Sequence, residues 1–344
     1  MATERLMSPA GTPEDHAAGN ALRPATLPEY IGQRDLIERL TIAVEAGRQR
    51  SEAVEHILFH GPPGLGKTTL AHVIAAEMGS KVHATSGPAL ARGTDLVATL
   101  TRLEPRDVLF IDEIHRLPVA VEEFIYPAME DFRIDITIDS GLHAQTVQVN
   151  CQPFTLIGAT TRAGLLSAPL RSRFGLVHHL KFYSPADLLE ILHRSAGILG
   201  MDRSDTGALS RIAGRSRGTP RIANRLLRRV RDFADVRADG RVSESTVDAA
   251  LVLEGIDAVG LDELDRAYLR AIAEVYRGGP VGLEAIAATL SQDAGTLEDV
   301  VEPYLLQIGF LARTRRGRQL TKLGADHIGA GVESLDEPSI FEQQ

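Results

Sequence analysis

Apolar positions in this chain follow one pattern up to about Tyr183 and another beyond it. In the first stretch, short β-rich runs recur as HILFHG (56–61), DVLFID (107–112) and FTLIGAT (154–160), alternating with segments of helical spacing. That alternation predicts a parallel sheet with crossover helices. Two further segments, FRIDITID (132–139) and QTVQVN (145–150), alternate with period two around SGLHA (140–144). They predict a β-hairpin inserted before FTLIGAT, with Ile134, Ile136 and Ile138 on one face and Val147 and Val149 opposite.

After Ser184-Pro185 the strands stop. ADLLEILHRSAGILG (186–200), Gly207 to Ala213 and TPRIANRLLRRVRDFADV (219–236) read as helices, the last with Ile222, Leu226, Val230 and Phe233 at helical spacing and arginines largely between them. A third unit begins near Asp257. Leu261, Leu264, Tyr268, Ile272 and Val275 mark one helix, LEAIAATL (283–290) a second and TLEDVVEPYLLQI (296–308) a third. FLARTRRGRQLT (310–321) follows as a basic hairpin turning at Arg316-Gly317, and three helices with such a hairpin are the layout of a winged helix. The first twenty residues, rich in Pro, Gly, Ala and acid without periodicity, read as a mobile tail.

Composition narrows the picture. A chain of 344 residues with 44% hydrophobic content can bury two or three cores. No apolar run approaches the roughly 18 to 20 residues needed to span a bilayer, and the N-terminus lacks an apolar signal core, so a cytoplasmic protein without membrane contact is expected. Cys151 is the lone cysteine, which excludes an intramolecular disulfide and Cys-rich zinc modules and reads as a small buried apolar residue. A net charge of −9 argues against coating nucleic acid uniformly. It leaves room for local cation patches: Arg211 to Arg231 holds eight arginines, and the final hairpin region holds Arg313, Arg315, Arg316, Arg318 and Lys322.

Candidate chemistry begins with GPPGLGKT, Gly61 to Thr68, between the strand HILFH and the helix TLAHVIAAEM. It fits G-x-x-x-x-G-K-[ST] in the strand–loop–helix context that motif requires. Glycines 61, 64 and 66 let backbone N–H groups close around phosphate, the helix N-terminus adds its positive end, Lys67 reaches the outer phosphates and Thr68 ligates Mg²⁺. VLFIDEIHR places Asp112 and Glu113 at a strand end, where an open parallel sheet puts ligand-facing groups. Asp112 is then the metal-side carboxylate and Glu113 the base that polarises the attacking water. His115 is expected to pack beside the site without a role. GATTRAG closes the next strand, from which Thr161 is placed to hydrogen-bond the water or γ-phosphate. In PLRSRFG, Arg171 and Arg173 follow a proline at a helix end; they are ordinary if solvated and catalytic if a neighbouring subunit places its nucleotide there.

These motifs in this order, with a helical lid carrying GTPR, resemble the AAA+ ATPases. More narrowly, LRPATLPEYIGQ, FHGPPGLGKTTLAH, VLFIDEIHRL, the inserted hairpin, RGTPRIANRLLRRVRDFA and GFLARTRRGRQLT resemble the RuvB family of Holliday-junction branch-migration motors from Leu22 to about Gly324. The fold implied is α/β: a P-loop AAA+ parallel sheet with an inserted β-hairpin (21–183), a small helical lid domain (184–256) and a C-terminal winged-helix head (257–334), between mobile tails (1–20 and 335–344). The resemblance implies that Leu22, Arg23, Tyr30 and Ile31 hold the adenine end with Tyr183 against the nucleotide, and that Gly64, Leu65, Gly66, Lys67, Thr68 and Thr69 bind phosphates and Mg²⁺. Glu130, Asp131 and Phe132 join the ATP-binding set. Thr161 becomes sensor 1, Arg173 the finger acting on the next subunit's ATP, and Arg221 in GTPR the lid arginine sensing γ-phosphate.

It further implies a homohexameric ring around duplex DNA, loading by RuvA through the tip of the hairpin (132–150), and work with the RuvC resolvase. Arg313 and Arg318 match the family's DNA contacts. Glu298, Asp299 and Glu302, with no cation on their helix, make that helix a poor groove reader, so the wing is expected to grip backbone. Two other readings compete. A clamp-loader-type subunit lacks support because SRF stands at 172–174 in place of a Ser-Arg-Cys signature, and an ATP-switched initiator should read bases. A protein-unfolding ring is disfavoured because no aromatic-Gly pore loop follows the P-loop.

Overall fold

The computed structural model describes Met7 and residues 21–138, 145–201 and 203–331. Its organising element is a five-stranded sheet of β1 (Ile57–His60), β2 (Val82–Ser86), β3 (Val108–Asp112), β6 (Thr155–Thr160) and β7 (Leu176–His179) in the order β2-β3-β6-β1-β7. All pairings are parallel, with Ile57 beside Ile157 and Ser86 beside Asp112. The three expected apolar runs are the three central strands, whose residues are buried almost throughout because helices cover both faces. The edge strands β2, VHATS, and β7, LVHH, escape the sequence reading. An edge strand needs less apolar surface, and polar residues interrupt both.

Helices α1 (Arg34–Arg50), α2 (Lys67–Met78), α3 (Gly93–Leu100), α4 (Val119–Glu130) and α5 (Ala168–Ser172) complete this part of the chain. Leu96 and Leu100 of α3 and Val121 and Ile125 of α4 bury against Leu58, Leu109, Ile111 and Leu156 of the sheet. Each such leucine contributes about 1.5–3 kcal/mol by burial, which fixes where the strand ends stand. Cys151 is in the same core, as expected, and burial pushes its thiol pKa up.

The hairpin pairs β4 (Arg133–Ile138) with β5 (Gln145–Asn150), antiparallel, Ile134 opposite Val149 and Ile136 opposite Val147. Its base is rooted by Ile134, fully buried beside Phe154, whereas Val147 is 40% exposed. The tip (139–144), where partner docking was expected, lies outside the described residues, as do both tails apart from Met7.

The described residues form two compact units, one within His16–Asp187 and one within Leu188–Gln344 together with Met7. α6 (Pro185–Ile198) leads into the second, followed by α7 (Thr206–Gly214), α8 (Pro220–Arg237) and α9 (Glu244–Leu253). Ile222, Leu226 and Val230 of α8 are buried as their spacing predicts. α9, not anticipated, starts at Ser243, whose hydroxyl accepts the Thr246 N–H at 3.2 Å.

Next come α10 (Glu263–Arg270), α11 (Leu283–Leu290) and α12 (Glu302–Gln307), the wing β8 (Leu311–Thr314) and β9 (Gly317–Leu320), and α13 (Lys322–Ile328). Tyr268, Ile272, Ile286, Leu297, Val301, Leu305, Leu311 and Leu320 share their core. Two expectations need correction. A π-helical turn over Ala271–Val275 shifts the phase of the first helix, so Val275 faces solvent at 58% exposure rather than the core. The wing turns at Arg315-Arg316, one residue early, because Gly317 (φ +139°) pairs with Thr314 and lies where a Cβ would sit 2.4 Å from the Val281 carbonyl oxygen.

Candidate active site

The carboxyl ends of β1, β3 and β6 gather three loops at one end of the sheet. From β1 the chain enters the Gly-rich loop. Gly64 and Gly66 have φ of +79° and +101°, a conformation that turns loop N–H groups inward and that other residues adopt with difficulty. Lys67, buried in the first turn of α2, donates from Nζ to the carbonyl oxygens of Gly61 (2.8 Å) and Pro62 (2.9 Å). Thr68 and Thr69 follow in that turn, half-buried.

From β3 come Asp112 and Glu113. Asp112 accepts the Glu113 N–H at 3.0 Å, and Glu113 has a left-handed backbone (φ 46°). Its carboxylate accepts a hydrogen bond from Thr161 Oγ1 at 3.2 Å, so Thr161, just past β6, meets the residue read as the base. His115 Nδ1 stands 3.2 Å from Glu113 Oε2 and 2.9 Å from Thr160 Oγ1. Sequence reading gave His115 no role; its position two residues after an acid at a strand end was the available signal.

Tyr30 and Tyr183 converge on the loop at Leu65. Their hydroxyls are 3.0 Å apart, and each donates to the Leu65 carbonyl oxygen, at 3.3 and 3.2 Å. Burial pushes the pKa of Tyr30 up to about 12 and that of Tyr183 well above its usual value, so both are neutral donors at any working pH. Arg23 lies beside His72 of α2, where burial first and then the Arg23 charge lower the histidine's pKa. Leu22 is buried and Ile31 half-buried on the same segment, which is tied to α2 by the Leu27 N–H donating to Glu77 at 3.0 Å.

Arg173 belongs to a separate cluster. It lies just past α5, with its guanidinium 4.3 Å from the Tyr126 ring centroid, Nε 3.0 Å from Glu130 Oε1 and Nη1 donating to the Pro169 carbonyl at 2.7 Å. The approach to Glu130 is an ion pair whose angle leaves Nε without an aligned acceptor. Tyr126 is held in turn: the buried Glu122 carboxylate accepts from its hydroxyl (2.7 Å) and from Ser167 (2.6 Å). Asp131 pairs with Arg133, and Phe132 packs edge-on against Phe154. Arg171 instead donates to the Ala163 carbonyl at 2.6 Å. Arg221 opens α8 in the second compact unit.

Phosphate and a hard cation fit this donor set: a cradle of positive-φ glycines, an ammonium, a threonine hydroxyl and a carboxylate. Among the described residues no group of three or more His, Cys, Asp or Glu side chains could hold a metal by itself.

The model of the Holliday junction DNA helicase RuvB P-loop domain matches residues 22–180, that of the RuvB AAA lid domain residues 183–257 and that of the RuvB C-terminal winged helix domain residues 258–329. The chain belongs to the RuvB family. It is similar to the Thermotoga maritima RuvB Holliday junction branch migration motor, at 51% identity and TM-score 0.83, covering 91% of this chain and all of that one. Two substituted variants of the Thermotoga maritima RuvB align equally well, one at 51% identity and TM-score 0.84 over 91% of this chain and 99% of that one, the other at 50% and 0.83 over 91% and 100%. RuvB membership makes the P-loop sheet an AAA+ nucleotide-binding domain and the last unit a DNA-binding winged helix. No helix among the described residues is long and apolar enough to cross a membrane.

Proposed function

We propose that this chain hydrolyses ATP to ADP and phosphate at the interface between adjacent subunits of a homohexameric ring, and that the ring drives Holliday-junction branch migration along duplex DNA. The observation that carries the reading is the separation of the two clusters. Arg173 is braced by Glu130 and Tyr126 of its own α4, while Lys67, Asp112, Glu113 and Thr161 assemble around the P-loop. A cation built that way suits a nucleotide belonging to a neighbour.

In this reading Lys67 leaves the Gly61 and Pro62 carbonyls for the outer phosphates, and Tyr30 and Tyr183 close the adenine end with Leu22, Arg23 and Ile31. Mg²⁺, held by Thr68 and Asp112, supplies charge neutralisation of the phosphates. Glu113 orients water and takes its proton, with Thr161 holding the carboxylate in place. Arg173, with Glu130 beside it, faces the next subunit's γ-phosphate; Asp131 and Phe132 follow in the same ATP-contacting segment, and Arg221 senses γ-phosphate from the lid. Charge stabilisation by such a finger amounts to roughly 10³–10⁵ in rate.

The wing turns this chemistry towards DNA through Arg313 and Arg318, gripping phosphates rather than bases so that any sequence can pass. The hairpin receives RuvA, with RuvC acting on the same junction, in the cytoplasm during recombination and repair.

Mixing subunits tests the shared site. Glu113→Gln and Arg173→Ala proteins are each expected to be inactive. Mixed one to one, about a quarter of head-to-tail interfaces pair an intact finger with an intact base, and that fraction of parent ATPase activity returns. If the mixture stays as inactive as its components, the interfacial site is wrong.

A further inference from the structure

The wing carries four arginines, and its contacts divide them into two pairs. Arg313 and Arg318 stand opposite each other on β8 and β9, and both reach back to Glu302, which is fully buried at the start of α12. Glu302 Oε2 accepts from Arg313 Nε at 2.8 Å and also from its Nη2. Oε1 accepts from Arg318 Nε at 2.8 Å and from the Tyr268 hydroxyl at 2.6 Å. Glu298 lies 3.6 and 3.5 Å from the Nη2 atoms of Arg313 and Arg318. Two guanidiniums and two carboxylates leave the cluster with no formal net charge. The Nε–Nη2 edge is one a guanidinium uses for two-point recognition of carboxylate or phosphate, and in both residues Glu302 occupies it. The acidic helix read as a surface unfavourable to DNA is, at Glu302, the buried anchor of the wing.

Arg315 and Arg316 differ. They are the two turn residues, both exposed, and among the described residues neither side chain has a hydrogen-bond or ion-pair partner. The turn that presents them is braced. Thr314 Oγ1 accepts the Arg316 N–H at 3.2 Å and donates to the Gly317 carbonyl at 3.0 Å. Behind it, Arg318 and Val281 exchange backbone hydrogen bonds of 2.7 and 2.9 Å, adding a third segment to the wing.

We propose that Arg315 and Arg316 form a phosphate-binding site for duplex DNA at the tip of the wing, mounted on the charge-neutral base that Glu302 makes with Arg313 and Arg318. The proposal rests on the reading of the wing as the DNA-facing element and deepens it. Arg313 and Arg318 keep only their outer Nη1 groups for DNA, whereas the tip pair brings two cations with their whole forks open. Salt dependence of binding counts the cations delivered to phosphate, so it should reside mainly in the tip.

The test uses the full chain and a labelled duplex, with binding measured by anisotropy from about 50 to 200 mM salt, the range over which phosphate contacts show clearly. Combining Arg315→Ala with Arg316→Ala is expected to make the slope of log K against log salt shallower by at least about 1.8, roughly 0.9 for each lost contact. The melting temperature should stay at the parent value, since both side chains are solvated. Arg315→Lys with Arg316→Lys should restore the slope, because an ammonium delivers the same charge. A tip double variant with the parent slope, alongside an Arg313→Ala protein with a reduced one, overturns the proposal and leaves the wing reading standing. If neither variant changes binding, both fall.

Discussion

Removing Arg217 should separate a structural ion pair from an incidental one. Arg217 is 3% exposed and its partner Asp265 is 0% exposed. The guanidinium donates to Asp265 from Nη2 and to the Gly260 carbonyl from Nε at 2.8 Å, and stacks 5.1 Å from the Tyr304 ring centroid. Asp265 also accepts the Asp262 N–H at 2.9 Å as part of the cap of α10. The pair joins a residue matched by the lid model to one matched by the winged-helix model, inside a single compact unit. Arg217→Met keeps the apolar stem but strands a buried carboxylate, a loss of about 3–5 kcal/mol. Asp265→Asn keeps a cap acceptor but strands the guanidinium and should cost about as much. At about 2–4 °C per kcal/mol for a unit of this size, each melting temperature falls by roughly 6–20 °C. The double variant, with neither charge, is expected to lose less than the two losses added together, leaving a coupling of about 2 kcal/mol or more in a cycle measured by calorimetry. Additive losses, with coupling below about 0.5 kcal/mol, refute the reasoning.

Three further outcomes follow from the first unit. Gly66→Ala places a Cβ 2.4 Å from the Tyr30 hydroxyl at φ +101°; fluorescent-nucleotide affinity should fall at least about tenfold, and adding Tyr30→Phe should recover part of it. Thr161→Val removes the hydroxyl that donates to Glu113; ATP turnover is expected to drop about 10²-fold while nucleotide binding is retained. Burial alone would raise the Asp107 pKa, but the Lys81 and Glu104 N–H groups and His83 outweigh it and hold it below the usual 3.8. A depressed carboxyl stabilises the fold above its unfolded pKa and loses that contribution as pH falls through the folded one. The stability gap between parent and Asp107→Asn should therefore be full at neutral pH and close below about pH 3.8; a gap that persists at pH 2 counts against the hydrogen bonds as its source.

Much of the site was legible because its parts are local. A Gly-rich turn between an apolar strand and a helix specifies its own geometry, and acids at the end of a β-run can only project from the carboxyl edge of a parallel sheet, as Gly61–Thr68 and Asp112-Glu113 do. His115 was not legible in this way. Its contact with Thr160 depends on β6 lying beside β3, an adjacency between residues 45 apart in sequence. The edge strands β2 and β7 were hidden for the opposite reason: with one flank unpaired, they need no apolar run to announce them.

The sequence by itself determined the three-part plan, the P-loop and the basic wing, because periodicity, glycine placement and charge clustering act over a few residues. Only the tertiary structure decided which charges are available. Arg313, Arg315, Arg316 and Arg318 are equivalent cations along the chain, yet a carboxylate from the preceding helix, α12, takes up two of them and leaves the turn pair open. Likewise Arg217 sits in a run of arginines that reads as a local cation patch, yet Asp265 closes over it. Pairing of buried charge is settled by which elements the core brings together, and that information is not carried by spacing along the chain.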